Sequence, residues 1–492
     1  MKNYLKQNKV NIIIFVIIFT ITSAIYFPLL KGHYATDTYN IINKGYETYA
    51  ITYSLNDGRP IMCLISLIAQ KLNMPIMVYV IILTAIALIV SNISVIKLKN
   101  ITVKYIEEKN KKTEYIILAI AYIIIFNFAY LENLQFAECA IMSVSILLNI
   151  IAAQQIVEKK KNYILKSIII SILSIQFYQG TMNWLFTITF VLSLLKEKKI
   201  NMQVIKNVFF SVLCGALGCG INMIQIKITG KIFGLTQSRM GSIKNIFSNI
   251  NVILESLNGT LQSTYGLFPK NMLYIFLIVI LIYSLIFMRK NKCNITLNLL
   301  TIILICIGTV YGPSLFTLSA FGTGRMAFSI GAMIGLMLLY IYCNLENNKI
   351  EEAILYSIMF LYIFISIGSS IIVMEEHKIV NNLDKQESQT VGKWIEEYEE
   401  QNNIEVKNVV FMYNSNSKLF YSGLSSGSAL CYKSLVKEWS RIGTLNYYNN
   451  RKFVEQKNKS AYYQKYFSNK KWDKLDKEQL IFDGDTLYYC LY

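Results

Sequence analysis

Residues 75–96 read PIMVYVIILTAIALIVSNISVI, an apolar run with no charged side chain, closed by Lys97 and Lys99. A helix of about 20 such residues crosses a hydrocarbon core of about 30 Å. The run is far longer than an ordinary buried strand, so helix is the only economical reading. Similar runs recur at 12–30, 115–130, 137–157, 164–177, 182–195, 208–228, 271–288, 295–311, 326–343 and 353–374. In lipid every backbone polar group must be satisfied within its own segment, which helices achieve. The sequence therefore predicts a mainly α fold, a polytopic helical membrane bundle of about eleven transmembrane helices.

The whole composition agrees. Of 492 residues 54% are hydrophobic and only 16% charged, against about a quarter charged in soluble domains. The formal net charge is +18, but much of it sits in short clusters between apolar runs: Lys104, Lys109, Lys111 and Lys112; Lys159–Lys161; Lys196, Lys198 and Lys199; Arg289, Lys290 and Lys292. That is the positive-inside pattern of a membrane protein rather than a nucleic-acid surface. Lys2, Lys6 and Lys9 place the N-terminus in the cytoplasm, and the run 12–30 reads as a retained helix rather than a cleaved signal. An odd helix count puts the C-terminus on the other side of the membrane. Residues 375–492 turn polar and rich in Tyr, Lys, Asn and Glu. Strand patterns at 406–413 and 486–492, and helical spacing of Val391, Trp394, Ile395 and Tyr398, predict a small extracytoplasmic α/β domain. The domains are thus 1–374, with a first outer loop at 31–60 carrying surface-lying helices, and 375–492. Cys431 and Cys490 are the cysteines of the polar part and can pair there. The two histidines, His33 and His377, lie far apart in the chain, and neither a metal nor a cofactor is called for.

Candidate residues fall at the outer helix ends. Asp37, in Tyr34-Ala35-Thr36-Asp37-Thr38-Tyr39, follows the first helix; a carboxylate there is either a solvated loop residue or a general base for a hydroxyl. Asp57-Gly58-Arg59-Pro60 reads as a turn opening a helix, and Arg59 can fork onto a phosphate. Glu132-Asn133-Leu134-Gln135-Phe136-Ala137-Glu138 breaks the apolar pattern, because a carboxylate in the bilayer centre costs about 2.5–3.5 kcal/mol. It is a hairpin tip, or a polar site for hydroxyl-rich groups. Gln176-Phe177-Tyr178-Gln179-Gly180 supplies an aromatic and amides, for sugar recognition or interfacial anchoring. Gly322-Thr323-Gly324-Arg325-Met326-Ala327 imitates a dinucleotide fingerprint but has no preceding strand pattern. It leaves Arg325 as an outer cation, with Lys231, Arg239, Lys244 and Lys270 in the long outer loop 229–270 running against the positive-inside trend, and outer cations suit an anionic substrate.

In their order, Asp37 after the first helix, Gly58-Arg59-Pro60 before the second, the polar tip after the third and Tyr178-Gln179 after the fifth resemble the Gtr-type (type II) bacterial glucosyltransferases of the GT-C class. The terminal Asp483-Gly484-Asp485 before a final strand is similar to them too. The resemblance implies transfer of a sugar, glucose, from a polyprenyl phosphate-sugar donor to a cell-surface glycan on the extracytoplasmic face of the bacterial plasma (inner) membrane. It implies Asp37 as the general base, inversion at the anomeric carbon, Arg59 and Arg325 on the phosphate, and Tyr178, Gln179, Glu132 and Glu138 on sugar. Asp57 supplies a second carboxylate only if the fold brings it near. A flippase and a donor-synthesising enzyme are the implied partners. The alternatives are a transporter or flippase of lipid-linked sugars, which puts charge near the midplane and usually carries internal repeats, and a surface-polysaccharide polymerase or ligase.

Overall fold

The computed structural model describes all residues except 1, 107–109, 236–242, 289–293, 313–314, 316–321, 345–348, 415–426 and 458–459. Lys109, Arg239, Arg289, Lys290 and Lys292 lie outside the described residues. The apolar runs form helices: Lys2–Ile25, Ile76–Thr102, Lys111–Ile125, Cys139–Glu158, Tyr163–Phe177, Met182–Glu197, Met202–Phe233, Met272–Met288, Ile295–Tyr311, Phe328–Tyr342 and Lys349–Asn402. Four of the helical segments are long and apolar enough to cross a membrane: Ile76–Tyr105, Cys139–Glu158, Met202–Phe233 and Lys349–Asn402. The bundle is apolar outside as well as inside. Val78, Ile82, Ile86 and Ile93 are exposed along one helix while Val80, Leu83, Ala87 and Leu88 of the same helix are buried. An apolar exterior of this extent is consistent with a membrane protein.

The C-terminal ends of Ile76–Thr102, Cys139–Glu158, Met182–Glu197 and Phe328–Tyr342 gather with the N-terminal ends of Lys111–Ile125 and Lys349–Asn402. At this end the lysines converge on carboxylates and carbonyls. Lys104 and Lys160 both pair with Glu158 at 2.8 Å, Lys112 pairs with Glu352 at 2.5 Å, and Lys198 donates to the carbonyls of Tyr105 and Cys343. Two of the helices that start at this end are capped by asparagine side chains. Asn110 accepts from the Thr113 N–H and Asn201 from those of Gln203 and Val204, satisfying amides that a helix start leaves open.

At the other end lie short helices. Thr36–Lys44, Tyr46–Tyr49 and Pro60–Lys71 bracket a π-helical turn, Ala50–Leu55, where the sequence predicts surface-lying helices. The C-terminal sheet sits at this end. Its strands are β1 (Asn408–Tyr413), β2 (Val454–Glu455), β3 (Leu480–Asp483) and β4 (Thr486–Leu491), in the order β2-β1-β4-β3. β1 is parallel to β2 and β4, and β3 is antiparallel to β4. Side chains alternate across it: Val409, Phe411, Leu487 and Tyr489 pack on Val391 and Ile395, while Val410, Met412, Tyr488 and Cys490 pack on Phe467 and Trp472. Both Cys431 and Cys490 are free thiols, so the pairing the sequence allows is not made.

The compositional break at 375 is not a structural break. Lys349–Asn402 is one helix of 54 residues, about 80 Å long at 1.5 Å per residue. Its polar half stays helical because it is amphipathic and buries Val380, Asp384, Val391 and Ile395. Asp384 accepts the Ser434 and Leu435 N–H groups at 2.8 and 3.2 Å. Lys433 pairs with Glu387 out of solvent and stands 4.4 Å from the Tyr492 ring centroid. The helix Arg441–Asn449 then docks on Thr36–Lys44 through Tyr34–Tyr447 and Tyr39–Tyr448 hydroxyl pairs at 2.6 and 2.7 Å.

Removing one member of a buried ion pair strands the other charge. Lys433→Met is therefore expected to cost about 3–5 kcal/mol, seen as a lower unfolding midpoint in detergent. Adding Glu387→Leu to it should restore most of the loss.

Candidate active site

The site end is built on two turns, each requiring glycine. In the first, Gly58 has φ +74° and the Arg59 N–H reaches back to the Ser54 carbonyl at 2.7 Å. The Gln179 amide donates to the carbonyls of Asp57 and Gly58 at 2.7 and 2.8 Å, and Asn222 donates to the Gly58 carbonyl at 2.7 Å. A Cβ on Gly58 would lie 2.5 Å from Asn222 Oδ1, so any other residue would strain the left-handed backbone and displace Asn222. Pro60 follows and opens its helix. The turn aims Arg59 into the protein. Its guanidinium pairs with Glu138, lies 3.7 Å from Asp57, and stands 5.0 Å from the ring centroid of buried Tyr178. Glu138 also accepts from the Tyr49 hydroxyl at 3.4 Å. Arg59, Asp57, Glu138, Tyr178 and Gln179, scattered in sequence, thus form one unit, with Arg59 and the Gln179 amide nitrogen engaged by protein groups.

The second turn is Gly322-Thr323-Gly324-Arg325. Buried Glu132, in the helix Tyr130–Gln135, accepts the Arg325 N–H at 3.2 Å and approaches the Ser428 hydroxyl at 3.5 Å. Gly324 permits this, since a Cβ there would sit 2.5 Å from the Glu132 carboxylate. Burial pushes the Glu132 carboxyl pKa up, with Arg325 pulling against it. The Arg325 guanidinium lies 4.3 Å from the Phe136 ring centroid. Burial opposes its charge, and Tyr178, Asp37 and Glu132 outweigh that, so its pKa rises. Among the described residues no carboxylate closes an ion pair on it. No strand precedes this turn among the described residues, which agrees with rejecting a dinucleotide site.

Asp37 lies in the first turn of Thr36–Lys44, where an anion is favoured by the helix N-terminus. It is half-buried and within electrostatic reach of both Arg325 and Tyr49. Asp37, Glu132, Phe136 and Arg325 line a cavity of about 260 Å3, closed on the C-terminal side by Tyr432 and Trp439. Carboxylate, guanidinium and aromatic surface lining one cavity can take a proton, hold an anion and stack on a ring.

The His33 ring nitrogens lie 3.2 and 2.9 Å from the carbonyls of Leu29 and Gln135, and its N–H can donate to one of them in the neutral ring, placing the Asp37 strip against the Glu132 segment. Burial keeps its pKa below the ordinary histidine value. The His377 ring stands 5.5 Å from it, edge to face, so the two histidines are neighbours despite their separation in sequence. The described residues hold no group of three His, Cys, Asp or Glu side chains placed for a metal. Sequence reasoning missed Asn222, Ser428, Tyr432 and Trp439. The one available signal was Trp439 itself, an indole in the charged stretch Lys437-Glu438-Trp439.

The family model for glucosyl transferase GtrII matches residues 26–342. No curated protein and no solved structure matches the chain. The match contains Asp37, Arg59, Glu132, Glu138, Tyr178 and Arg325, and ends before the segment that carries Tyr432 and Trp439.

Glu138→Gln leaves the Arg59 guanidinium short of its principal counter-charge. The variant is expected to lose about 3 kcal/mol of stability, measured as a lower unfolding midpoint in detergent, and Glu138→Asp should lose less.

Proposed function

The chain belongs to the glucosyl transferase GtrII family, and on that footing we propose that it moves glucose from a polyprenyl phosphate-linked donor to a cell-surface glycan. About eleven helices cross the bacterial plasma membrane in a GT-C-like arrangement. The lysine-rich end is cytoplasmic, and the end carrying the cavity and the C-terminal domain is extracytoplasmic. The alternative of a lipid-linked sugar transporter has no support from the family match. Nor do the site charges lie near the middle of the helices: Asp37, Arg59, Glu132 and Arg325 all lie at helix ends or connections.

Asp37 is the general base. Its carboxylate takes the proton of an acceptor hydroxyl as that oxygen attacks the anomeric carbon. The bond from that carbon to the phosphate oxygen breaks, polyprenyl phosphate leaves with the electron pair, and the configuration inverts. Arg325 steadies the leaving phosphate, because guanidinium donors match phosphate oxygens. Arg59 supports the site from the side, since Glu138 and Asp57 already occupy its guanidinium. Glu132 holds the Arg325 turn through the backbone. The observation that carries the reading is the placement of Asp37 and Arg325 in one cavity within the family-matched region.

Asp37→Asn should reduce sugar transfer by about a hundred- to ten-thousand-fold while expression and membrane insertion stay normal. Wild-type transfer rates in that variant would remove Asp37 as the base. Arg325→Lys keeps the charge but not the fork, and should retain partial activity where Arg325→Ala retains little; equal rates for the two variants would contradict the phosphate role.

A further inference from the structure

We propose that Tyr432 and Trp439 form the platform on which the acceptor sugar binds, so that acceptor choice resides in the segment from Gly427 to Trp439. The inference rests on the glycosyltransferase reading above and deepens it.

The cavity has walls of two kinds. Asp37, Glu132 and Arg325 supply its charge, and all three lie within the family-matched residues. Gly427, Ala429, Tyr432 and Trp439 complete it from beyond that match and add no charged side chain. A phosphate seeks the guanidinium, so the uncharged wall is left for a neutral ring. A pyranose presents C–H groups of partial positive charge on its faces, and an aromatic ring presents a negative π-face to meet them.

Exposure supports the same assignment. Trp439 is 44% exposed and Tyr432 37%. The other tryptophans are packed away: Trp184 and Trp472 are at 0% and 7%, and Trp394 lies partly buried against the sheet core. An indole kept in water forgoes the burial that usually dominates aromatic energetics, and here it does so at the rim of the reaction cavity. Lys437 stands 3.8 Å from the Tyr432 ring centroid, fixing that ring on one side. The segment is held firmly in register. Gln135 donates to the Ala429 carbonyl at 2.9 Å, and Asp384 accepts from Ser434 and Leu435. The platform is thus set at a defined place relative to Asp37.

The test uses the full-length protein in proteoliposomes with synthetic polyprenyl phosphate-glucose. The acceptor is surface polysaccharide purified from cells lacking the protein. Two rates are read, transfer to polysaccharide and release of free glucose to water. For Trp439→Ala and Tyr432→Ala, loss of a stacking contact should raise the acceptor KM roughly tenfold and leave glucose release within about twofold of wild type. Trp439→Phe should recover most of the acceptor affinity. An unchanged acceptor KM in both alanine variants overturns the platform, as does an equal loss of transfer and glucose release. A wild-type protein that performs neither reaction overturns the glycosyltransferase reading itself, and the platform with it.

Discussion

A charged side chain among apolar helices must find a counter-charge or hydrogen bonds, or it will not remain there as an ion. This requirement organises the site end of the protein. Arg59 is paired with Glu138 and lies near Asp57, which goes with an Asp57–Pro60 turn folded inward against Tyr178. Glu132 takes its hydrogen bond from the Arg325 N–H and so pins a distant turn beside the first loop. Lys433 and Glu387 do the same for the C-terminal segment. Arg325 differs from the others: it sits over Phe136 with no carboxylate paired to it among the described residues. It is also the guanidinium that lines the cavity beside Asp37.

The 54-residue helix Lys349–Asn402 carries this arrangement from the bundle into the C-terminal sheet. Its apolar first half joins the bundle core through Leu355, Met359, Tyr362 and Val373, and its second half forms one face of the sheet core through Val391 and Ile395. A hinge between two domains would let the sheet wander. A continuous helix, together with the tyrosine pairs from Tyr34 and Tyr39 to Tyr447 and Tyr448, holds Tyr432 and Trp439 against the Asp37 cavity.

Much of this was legible in the sequence. Uniform apolar runs can only be helices, so the positions of the long helices followed from hydropathy. The polar interruptions at Asp37, Arg59, Glu132, Glu138 and Arg325 stood out because each is costly in such a setting. The strands at 408–413 and 486–491 were readable, within the runs 406–413 and 486–492, as short apolar stretches rich in Val, Phe and Tyr, whereas β2 and β3 are too short to stand out. What the sequence concealed were pairings across long separations. Nothing local says that Gln179 secures the Gly58 turn, that His33 meets His377, or that the polar stretch after Met374 continues a helix. That last point depends on a buried stripe whose members include Asp384, a residue that composition counts as polar. Trp439 was hidden for the same reason, because its meaning comes only from the cavity it borders.

The most direct measurement is mass spectrometry of surface glycans from cells with and without the protein. A hexose substituent on the surface glycan should be present in the first and missing in the second, and should return when the wild-type chain is restored. Identical glycans in cells with and without the protein would contradict the glucosyltransferase account.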